Sequence, residues 1–279
     1  YNTTGGKVFT ANGMSKMMWY NKNIVSDAKA YDYFDKNEWT ELALGFLATD
    51  IREAGKNIIE CNNWAAFGSS AGVVQATGLA TRLKHTGIQN VVLALSGGLD
   101  STLALICCVH AFDMLGISRK NIHTLTMPCF GTTKRTKSNA EKLAEAYDVS
   151  FKEVNIMKSV LQHFEDIEHN EDIHDITYEN SQARERTQLL MDISNKLSAL
   201  VIGTGDLSEL ALGWATYNGD HMSMYAVNSS IPKTLVRHLT AYEASKSEGL
   251  LKEVLLDILD TPVSPELLPP EKDGTIAQK

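Results

Sequence analysis

The chain has 279 residues, of which 43% are hydrophobic and 22% charged; this composition suits a folded protein with a sizeable core and excludes a wholly disordered one. Its 34 acidic residues outnumber 26 basic ones and give a formal net charge of −8, so we expect no nucleic acid partner. No apolar run reaches the ~18 residues of a membrane span, and no signal peptide is evident at the start. The four cysteines form no CxxC pair and indicate reduced thiols, hence a cytoplasmic location.

Composition divides the chain into three segments. Residues 1–70 are mixed, with a helical pattern around 39–59, and carry no recognisable chemistry. Residues 71–260 alternate apolar strand patterns with helical ones and form the main predicted domain. Residues 261–279 begin with four of the six prolines, which is typical of an extended or turn-rich tail; we expect this tail to be truncated.

Within the main domain, short apolar runs predict strands at 90–95, 121–127, 149–154 and 199–203. Helical patterns at 103–115, 140–147 and 178–197 alternate with them, and one more helix is expected after Leu250. The alternation predicts an α/β fold with a doubly wound parallel sheet, about five strands and flanking helices. Since ligands bind beyond the carboxyl ends of such strands, functional residues should directly follow a strand.

The clearest functional signal is Ser-Gly-Gly-Leu-Asp-Ser at 96–101, between the first strand and a helix. The two glycines let backbone amides turn toward an anion, and the helix start adds unpaired amides. Asp100 would repel a bare polyphosphate but suits an intervening Mg²⁺, which takes carboxylate and phosphate oxygens together. The alternative is an ordinary Gly-Gly turn with a serine cap. No Gly-Lys-Ser/Thr follows, which disfavours kinase-like transfer of a γ-phosphate.

A second block, 203–217, follows the fourth strand and also opens a helix. From the residues alone, Asp206 and Glu209 are equally well explained as a capping box, in which two side chains bond each other's backbone amides. Arg184 is compatible with a surface ion pair, and Trp214 with core packing.

These blocks resemble a known group of enzymes. The 96–101 loop is similar to the pyrophosphate loop of the N-type ATP pyrophosphatases, which adenylate a substrate oxygen. The blocks 178–186, 203–217 and 228–234 resemble one family of that superfamily, the NAD synthetases, over about residues 78–269. The likeness is greatest to the synthetase domain of the bacterial glutamine-dependent type. It implies an adenine nucleotide alpha hydrolase-like fold and marks 71–260 as the ATP pyrophosphatase/NAD synthetase domain.

The resemblance implies a ligase that forms a C–N bond in NAD biosynthesis, with ATP as co-substrate and Mg²⁺ as cofactor. Deamido-NAD would be adenylated on its nicotinate carboxylate, and ammonia would then displace AMP to give NAD. Relatives take ammonia free or from glutamine through a glutaminase domain. Because the ~90 residues before the loop are too few for such a domain, we expect free ammonia. A homo-oligomer, in the family a homodimer, is also expected.

The resemblance also assigns residues by position. Catalysis would use Asp100, Glu209 and Lys233, and Mg²⁺ would bind Asp100 and Glu209. The residues expected at ATP are Ala94, Leu95, Ser96, Gly97, Gly98, Leu99, Asp100, Ser101, Thr204, Lys233 and Ser264. Those expected at deamido-NAD are Asn180, Arg184, Glu209, Trp214, Ala215, Thr216 and Tyr217.

Two other functions share some of these features. Another N-type ATP pyrophosphatase, such as GMP synthetase, would need the loop but not the blocks 178–186 and 203–217. A catalytically incomplete nucleotide-binding fragment would bind ATP without releasing pyrophosphate, and the early end of the chain favours it. Cys129 has no paired histidine at a readable spacing, so we expect no covalent catalysis. We expect the acidic segment 165–175 to be a mobile, solvated loop rather than a metal site.

Overall fold

The structure, a computed structural model, describes residues 64–131, 134–261 and 267, with side chains from Gly72 onward. The compact unit considered below begins at Gln75. The helical pattern at 39–59 and Ser264 lie outside the described residues. Within the described ranges, no helix combines the length and the apolar character needed to cross a membrane.

The elements alternate along the chain much as the sequence predicts. The strands are β1 (Val91–Ala94), β2 (Ile122–Thr126), β3 (Ser150–Glu153), β4 (Leu200–Gly203) and β5 (Tyr225–Ala226). The helices are α1 (Trp64–Thr86), α2 (Leu99–Leu115), α3 (Lys134–Ala146), α4 (Met157–Asp166), α5 (Ile176–Leu197), α6 (Leu207–Leu212), α7 (Lys233–Lys246) and α8 (Gly249–Asp260). A short 3-10 turn at Arg119–Asn121 precedes β2.

The five strands form one parallel sheet in the order β3-β2-β1-β4-β5. This confirms the predicted α/β fold. After β1 the chain adds β2 and β3 on one side, and it then crosses to place β4 and β5 on the other. The order of the strands therefore reverses between β1 and β4, and the crevice beyond their carboxyl ends is where such a sheet binds ligands.

Two hydrophobic cores cover the two faces of the sheet. Val91 and Leu93 lie in one core with α1, α2, α3 and α8, whereas Val92 lies in the other with α4 and α5. Successive side chains of a strand point to opposite faces, so a strand buried on both faces has to be continuously apolar. The predicted helical stripe is also confirmed, since its members are all buried: Ala140, Leu143, Ala144 and Tyr147.

The structure departs from the sequence predictions in several elements. β5 has only two residues, too few to show a period in the sequence. Helices α1, α4 and α7 are additional, and α2 begins at Leu99, so that the second half of the glycine loop is already helical. The acidic segment 165–175 includes the end of α4, and its last residue, Asp175, caps α5 by accepting bonds from two backbone amides.

A polar group joins helices α2, α3 and α7 on one side of the sheet. The Glu243 carboxylate lies 3.4 Å from His110 Nε2 and accepts a 3.0 Å hydrogen bond from the Tyr147 hydroxyl. The hydrogen bond to Glu243 raises the pKa of His110 above its ordinary value, against the effect of burial. Burial would raise the pKa of Glu243, but the bond with His110 holds it below its usual range.

We expect NMR titration to place the pKa of His110 above 6.5 and Glu243→Gln to lower it. Because the folded state retains the histidine proton, the contribution of His110 to stability is full below pH 6.5 and is lost as the pH rises through the raised pKa. The contribution of Glu243 is present above pH 4.5 and is lost as the pH falls through its lowered pKa. A His110 titration curve unchanged by Glu243→Gln would contradict this coupling.

Candidate functional site

The glycine turn after β1 is held in one conformation by its own contacts. Gly97 has a φ of +86°, and a side chain there would collide with the backbone oxygen of Thr136 on α3. Ser96 Oγ accepts a hydrogen bond from the Gly98 amide at 3.2 Å and lies 3.2 Å from Ser101 Oγ. The turn is therefore a rigid platform at the start of α2, where unpaired amides favour an anion.

Three carboxylates meet beside this turn. Asp100 lies in the first turn of α2, after β1, whereas Asp206 and Glu209 lie at the start of α6, after β4. Each contributes an oxygen to a group whose members lie within 4.8 Å of one another. The topology thus brings together Asp100 and Glu209, the two predicted metal ligands, from positions more than a hundred residues apart.

The capping box predicted for Asp206 and Glu209 is also present. Asp206 Oδ1 accepts from the Glu209 amide at 2.9 Å, and Glu209 Oε2 accepts from the Asp206 amide at 3.0 Å. These bonds fix both side chains at the start of α6 and still leave one oxygen of each for other contacts. A role of this pair as a helix cap is therefore compatible with a role in binding a cation.

The ammonium of Lys233 lies among all three carboxylates. It donates to Asp100 Oδ2 at 2.7 Å and to Glu209 Oε1 at 3.0 Å, and it lies 2.9 Å from Asp206 Oδ2. Burial lowers the pKa of Lys233, but the three carboxylates more than reverse this effect and hold the pKa above its ordinary value. Lys233 is placed by the start of α7, where its backbone amide donates to Ser208 Oγ at 3.0 Å.

The negative charge of the group exceeds what one ammonium balances. Two of its oxygens, Asp100 Oδ1 and Asp206 Oδ2, are buried; Asp206 Oδ2 has the Lys233 ammonium beside it at 2.9 Å, whereas Asp100 Oδ1 receives no hydrogen bond. Burial raises the pKa of Asp100 to about 6, although its bond with Lys233 acts in the opposite direction. A buried carboxylate oxygen that lacks a donor, as Asp100 Oδ1 does, fits a hard divalent cation such as Mg²⁺. The sequence pattern indicates only a cap at Asp206, although this residue follows a buried strand as closely as the glycine turn does.

Two adjoining cavities open at the carboxyl ends of β1 and β4. The larger, of about 500 Å³, has polar walls near the glycine turn and apolar walls under α5. The smaller, of about 200 Å³, borders Asp100 and Glu209. The predicted site residues that line at least one of them are Ala94, Leu95, Ser96, Gly98, Asp100, Ser101, Thr204, Glu209, Trp214 and Ala215. Gly97 and Leu99 line neither, since Gly97 packs against α3 and Leu99 against the hydrophobic core.

Helix α5 holds the segment 214–217 at the mouth of these cavities. Asn180 Oδ1 accepts a 2.8 Å hydrogen bond from the Thr216 hydroxyl, and Arg184 Nε donates to the Tyr217 carbonyl at 3.1 Å. Trp214 is 74% and Tyr217 77% exposed, so the core-packing alternative for Trp214 is wrong. Asn180 and Arg184 therefore contact two residues of the segment 214–217, and Trp214 and Ala215 of that segment line the cavities.

Two further side chains bear on the chemistry of the site. Arg186 lines the larger cavity and donates to the Met127 carbonyl at 3.2 Å; its position within the block 178–186 could have indicated it. Cys129 is buried, and burial raises the pKa of its thiol. A protonated, buried thiol is a poor nucleophile, in agreement with the expectation that it forms no covalent intermediate.

A parallel α/β sheet with a glycine turn at its switch point places the chain in the class of proteins with a nucleotide-binding fold. The family model described as NAD synthase matches residues 73–270. The chain belongs to the NAD synthase family.

Comparison with individual relatives agrees with this assignment. The glutamine-dependent NAD(+) synthetase of Mycobacterium bovis is 46% identical over 203 residues, which are 70% of this chain and 30% of that protein. The NH(3)-dependent NAD(+) synthetase of Trichlorobacter lovleyi is 34% identical over 177 residues, 63% of this chain and 60% of that protein. This chain thus spans about a third of the length of the glutamine-dependent relative.

A solved structure shares the fold as well. The glutamine-dependent NAD+ synthetase from Acinetobacter baumannii, in complex with ADP, matches with a TM-score of 0.63 and 31% sequence identity. The match covers 68% of this chain and 36% of that chain.

We expect Gly97→Ala to destabilise the protein more than Gly116→Ala. Both glycines have positive φ, which costs an alanine about 1–2 kcal/mol. Only at Gly97 would the new methyl group also meet backbone, since nothing lies within 4 Å of the corresponding position at Gly116. Urea unfolding of the two variants measures the difference. Equal losses would show that the turn does not depend on its close contact with α3.

We expect Lys233→Met to reduce the free energy of unfolding at pH 7 in the presence of a metal chelator. Breaking a fully buried ion pair costs about 3–5 kcal/mol. Because the Lys233 side chain is 41% exposed, we expect ~1–3 kcal/mol. Asp206→Asn keeps a capping residue but removes a charge, so it should restore part of this loss in the double variant. Lys252→Met, at an exposed position on α8, is the matched control. A loss no larger than that of the control would contradict the role given to the ammonium.

Proposed function

We propose that this chain is the ATP-dependent ligase that amidates deamido-NAD to NAD, with AMP and pyrophosphate as the other products. The observation that carries the proposal is the convergence of Asp100, Glu209 and Lys233 beside the glycine turn, in a chain of the NAD synthase family. A carboxylate and ammonia do not condense in water without activation, and adenylation supplies the leaving group.

The turn and Lys233 suit the phosphates of ATP. Backbone amides at a helix start attract anions, and the Lys233 ammonium is a cation 2.7 Å from Asp100 Oδ2 in the same loop. Asp100 and Glu209 would hold Mg²⁺, with the buried Asp206 carboxylate beside them; the buried Asp100 Oδ1, which receives no hydrogen bond, fits that ion. When bound, Mg²⁺ would neutralise phosphate charge and favour departure of pyrophosphate.

The larger cavity suits the adenosine of ATP. Its volume of about 500 Å³ is in the range of small-molecule pockets, and Leu125, Met127 and Val201 provide apolar walls. The bound ADP of the Acinetobacter baumannii relative supports a nucleotide here. Ser264, which the resemblance also places at ATP, lies outside the described residues.

Deamido-NAD would bind across the mouth of the cavities. The exposed rings of Trp214 and Tyr217 offer faces for stacking, and Arg184 offers a cation for phosphate or for the nicotinate carboxylate. Asn180 would keep the segment in place through Thr216.

Two displacement steps account for the reaction. A nicotinate carboxylate oxygen attacks the α-phosphorus of ATP, and the bond to the oxygen of the leaving pyrophosphate breaks. Ammonia nitrogen then attacks the acyl carbon, the bond to AMP breaks, and a proton is released. The protein's contribution is positioning and charge neutralisation, without a covalent enzyme intermediate.

Location, assembly and domain boundaries are part of the same proposal. The buried free thiols of Cys107 and Cys108 fit a reducing, cytoplasmic compartment. The exposed apolar side chains of 207–224 fit a homo-oligomer in which a second chain covers part of the substrate surface. We retain residues 71–260 as the synthetase domain.

With ATP, Mg²⁺, deamido-NAD and ammonium, we expect the 279-residue chain to form NAD and AMP in equal amounts. Asp100→Asn and Glu209→Gln each remove a carboxylate charge that would hold Mg²⁺ at the phosphates. We expect each to reduce the rate at least ~100-fold. Asp113→Asn on the same helix as Asp100, and Cys129→Ala, should retain activity. NAD and AMP are quantified by chromatography.

Replacing one reagent at a time separates the alternatives. AMP release with xanthosine monophosphate but not with deamido-NAD would indicate a GMP synthetase-like enzyme. ATP binding without pyrophosphate release with either acceptor would indicate an incomplete fragment. Comparison of ammonium with glutamine then shows which nitrogen donor this chain uses.

A further inference from the structure

One buried amide connects the two segments that carry the carboxylates. Asn228 is fully buried, and its Nδ2 donates to the Asp100 carbonyl at 2.9 Å and to the Thr204 carbonyl at 3.0 Å. Asp100 follows β1, Thr204 follows β4, and Asn228 itself follows β5. Both Nδ2 protons are thus used to join the carboxyl ends of neighbouring strands.

The connection matters because the strands themselves separate at this point. β1 and β4 pair only through Val91–Val92 and Leu200–Val201, although β1 continues to Ala94 and β4 to Gly203. The last two residues of β1 and of β4 are therefore not paired with each other. Asn228 spans the opening where the ladder between these two strands has ended.

The orientation of the Asn228 amide is set by Gln75 on α1. Gln75 Nε2 donates to Asn228 Oδ1 at 3.1 Å and to the Val227 carbonyl at 2.9 Å. A donor at Asn228 Oδ1 leaves only Nδ2 to face the two carbonyls. Gln75 Oε1 is itself buried and receives no hydrogen bond. The contacts of Gln75 therefore serve Asn228 and Val227 and leave one of its own polar atoms unpaired.

We propose that Asn228, oriented by Gln75, is a positioning residue that sets the spacing between Asp100 and Glu209. It acts on Asp100 through the first turn of α2 and on Glu209 through the segment from Thr204 into α6. Neither Gln75 nor Asn228 is among the residues that contact ATP, the metal or deamido-NAD in the proposed function, on which this inference rests.

The test compares Mn²⁺ binding in the presence of ATP, measured by electron paramagnetic resonance, between the parent chain and Gln75→Met. Methionine has a similar length but donates no hydrogen bond, so the Asn228 amide loses its orienting partner. Loss of a group that orients metal ligands typically reduces affinity about 10–100-fold, and we expect about 10-fold weaker Mn²⁺ binding. The turnover number should fall while KM for ammonium stays the same.

Thr240→Val is the matched control. Thr240 is buried, and its hydroxyl donates to the Val236 carbonyl within α7 at 2.9 Å, so its loss affects stability without touching Asn228. We expect the control to lower the melting temperature and to leave Mn²⁺ affinity unchanged. Gln75→Leu serves as the second variant if Gln75→Met does not fold.

The outcomes separate this inference from the proposed function. Parent-like Mn²⁺ affinity in a folded Gln75 variant overturns the positioning role, as does an equal loss in Thr240→Val. A parent chain that binds Mn²⁺ with ATP but forms no NAD overturns the proposed function alone, because the comparison of affinities still decides the role of Gln75. A parent chain that binds no Mn²⁺ overturns both.

Discussion

The ion pairs of one lysine ammonium with three carboxylates are the interaction on which the rest of the site depends. Asp100 comes from the segment after β1, Asp206 and Glu209 from the segment after β4, and Lys233 from the start of α7. Without the ammonium, the three acids at the starts of α2 and α6 would repel one another across the crevice. The distance between the two segments that border the crevice therefore depends on the charge balance of this group.

A group of this kind adds little net stability compared with an apolar one. Burial of several charges costs more than their pairing returns, and an apolar cluster of similar volume is often at least as stable. The raised pKa of Asp100, to about 6, and its buried Oδ1, which receives no hydrogen bond, indicate the same cost. Anionic phosphates would bind the amides of the glycine turn on one side. A divalent cation would balance the excess negative charge of the carboxylates on the other.

The features that the sequence predicts are those with a pattern in neighbouring residues. The strand at 90–95 was evident from its apolar run, and Asp100 from the glycine turn beside it. β5 cannot be predicted because two residues show no period, and the sequence around Asp206 predicts a cap because a cap and a cation site have the same local pattern. The role inferred for Asn228 depends on Gln75, which lies more than 150 residues away along the chain, so no local pattern could indicate it.

The most direct test of this account is a crystal structure of the chain with ATP and Mg²⁺. The account predicts the phosphates on the amides of the turn 96–101, one metal ion bound by both Asp100 and Glu209 at ~2.1 Å, and the Lys233 ammonium within hydrogen-bond distance of a phosphate oxygen. A nucleotide bound elsewhere, or a metal ion that contacts neither carboxylate, would contradict it.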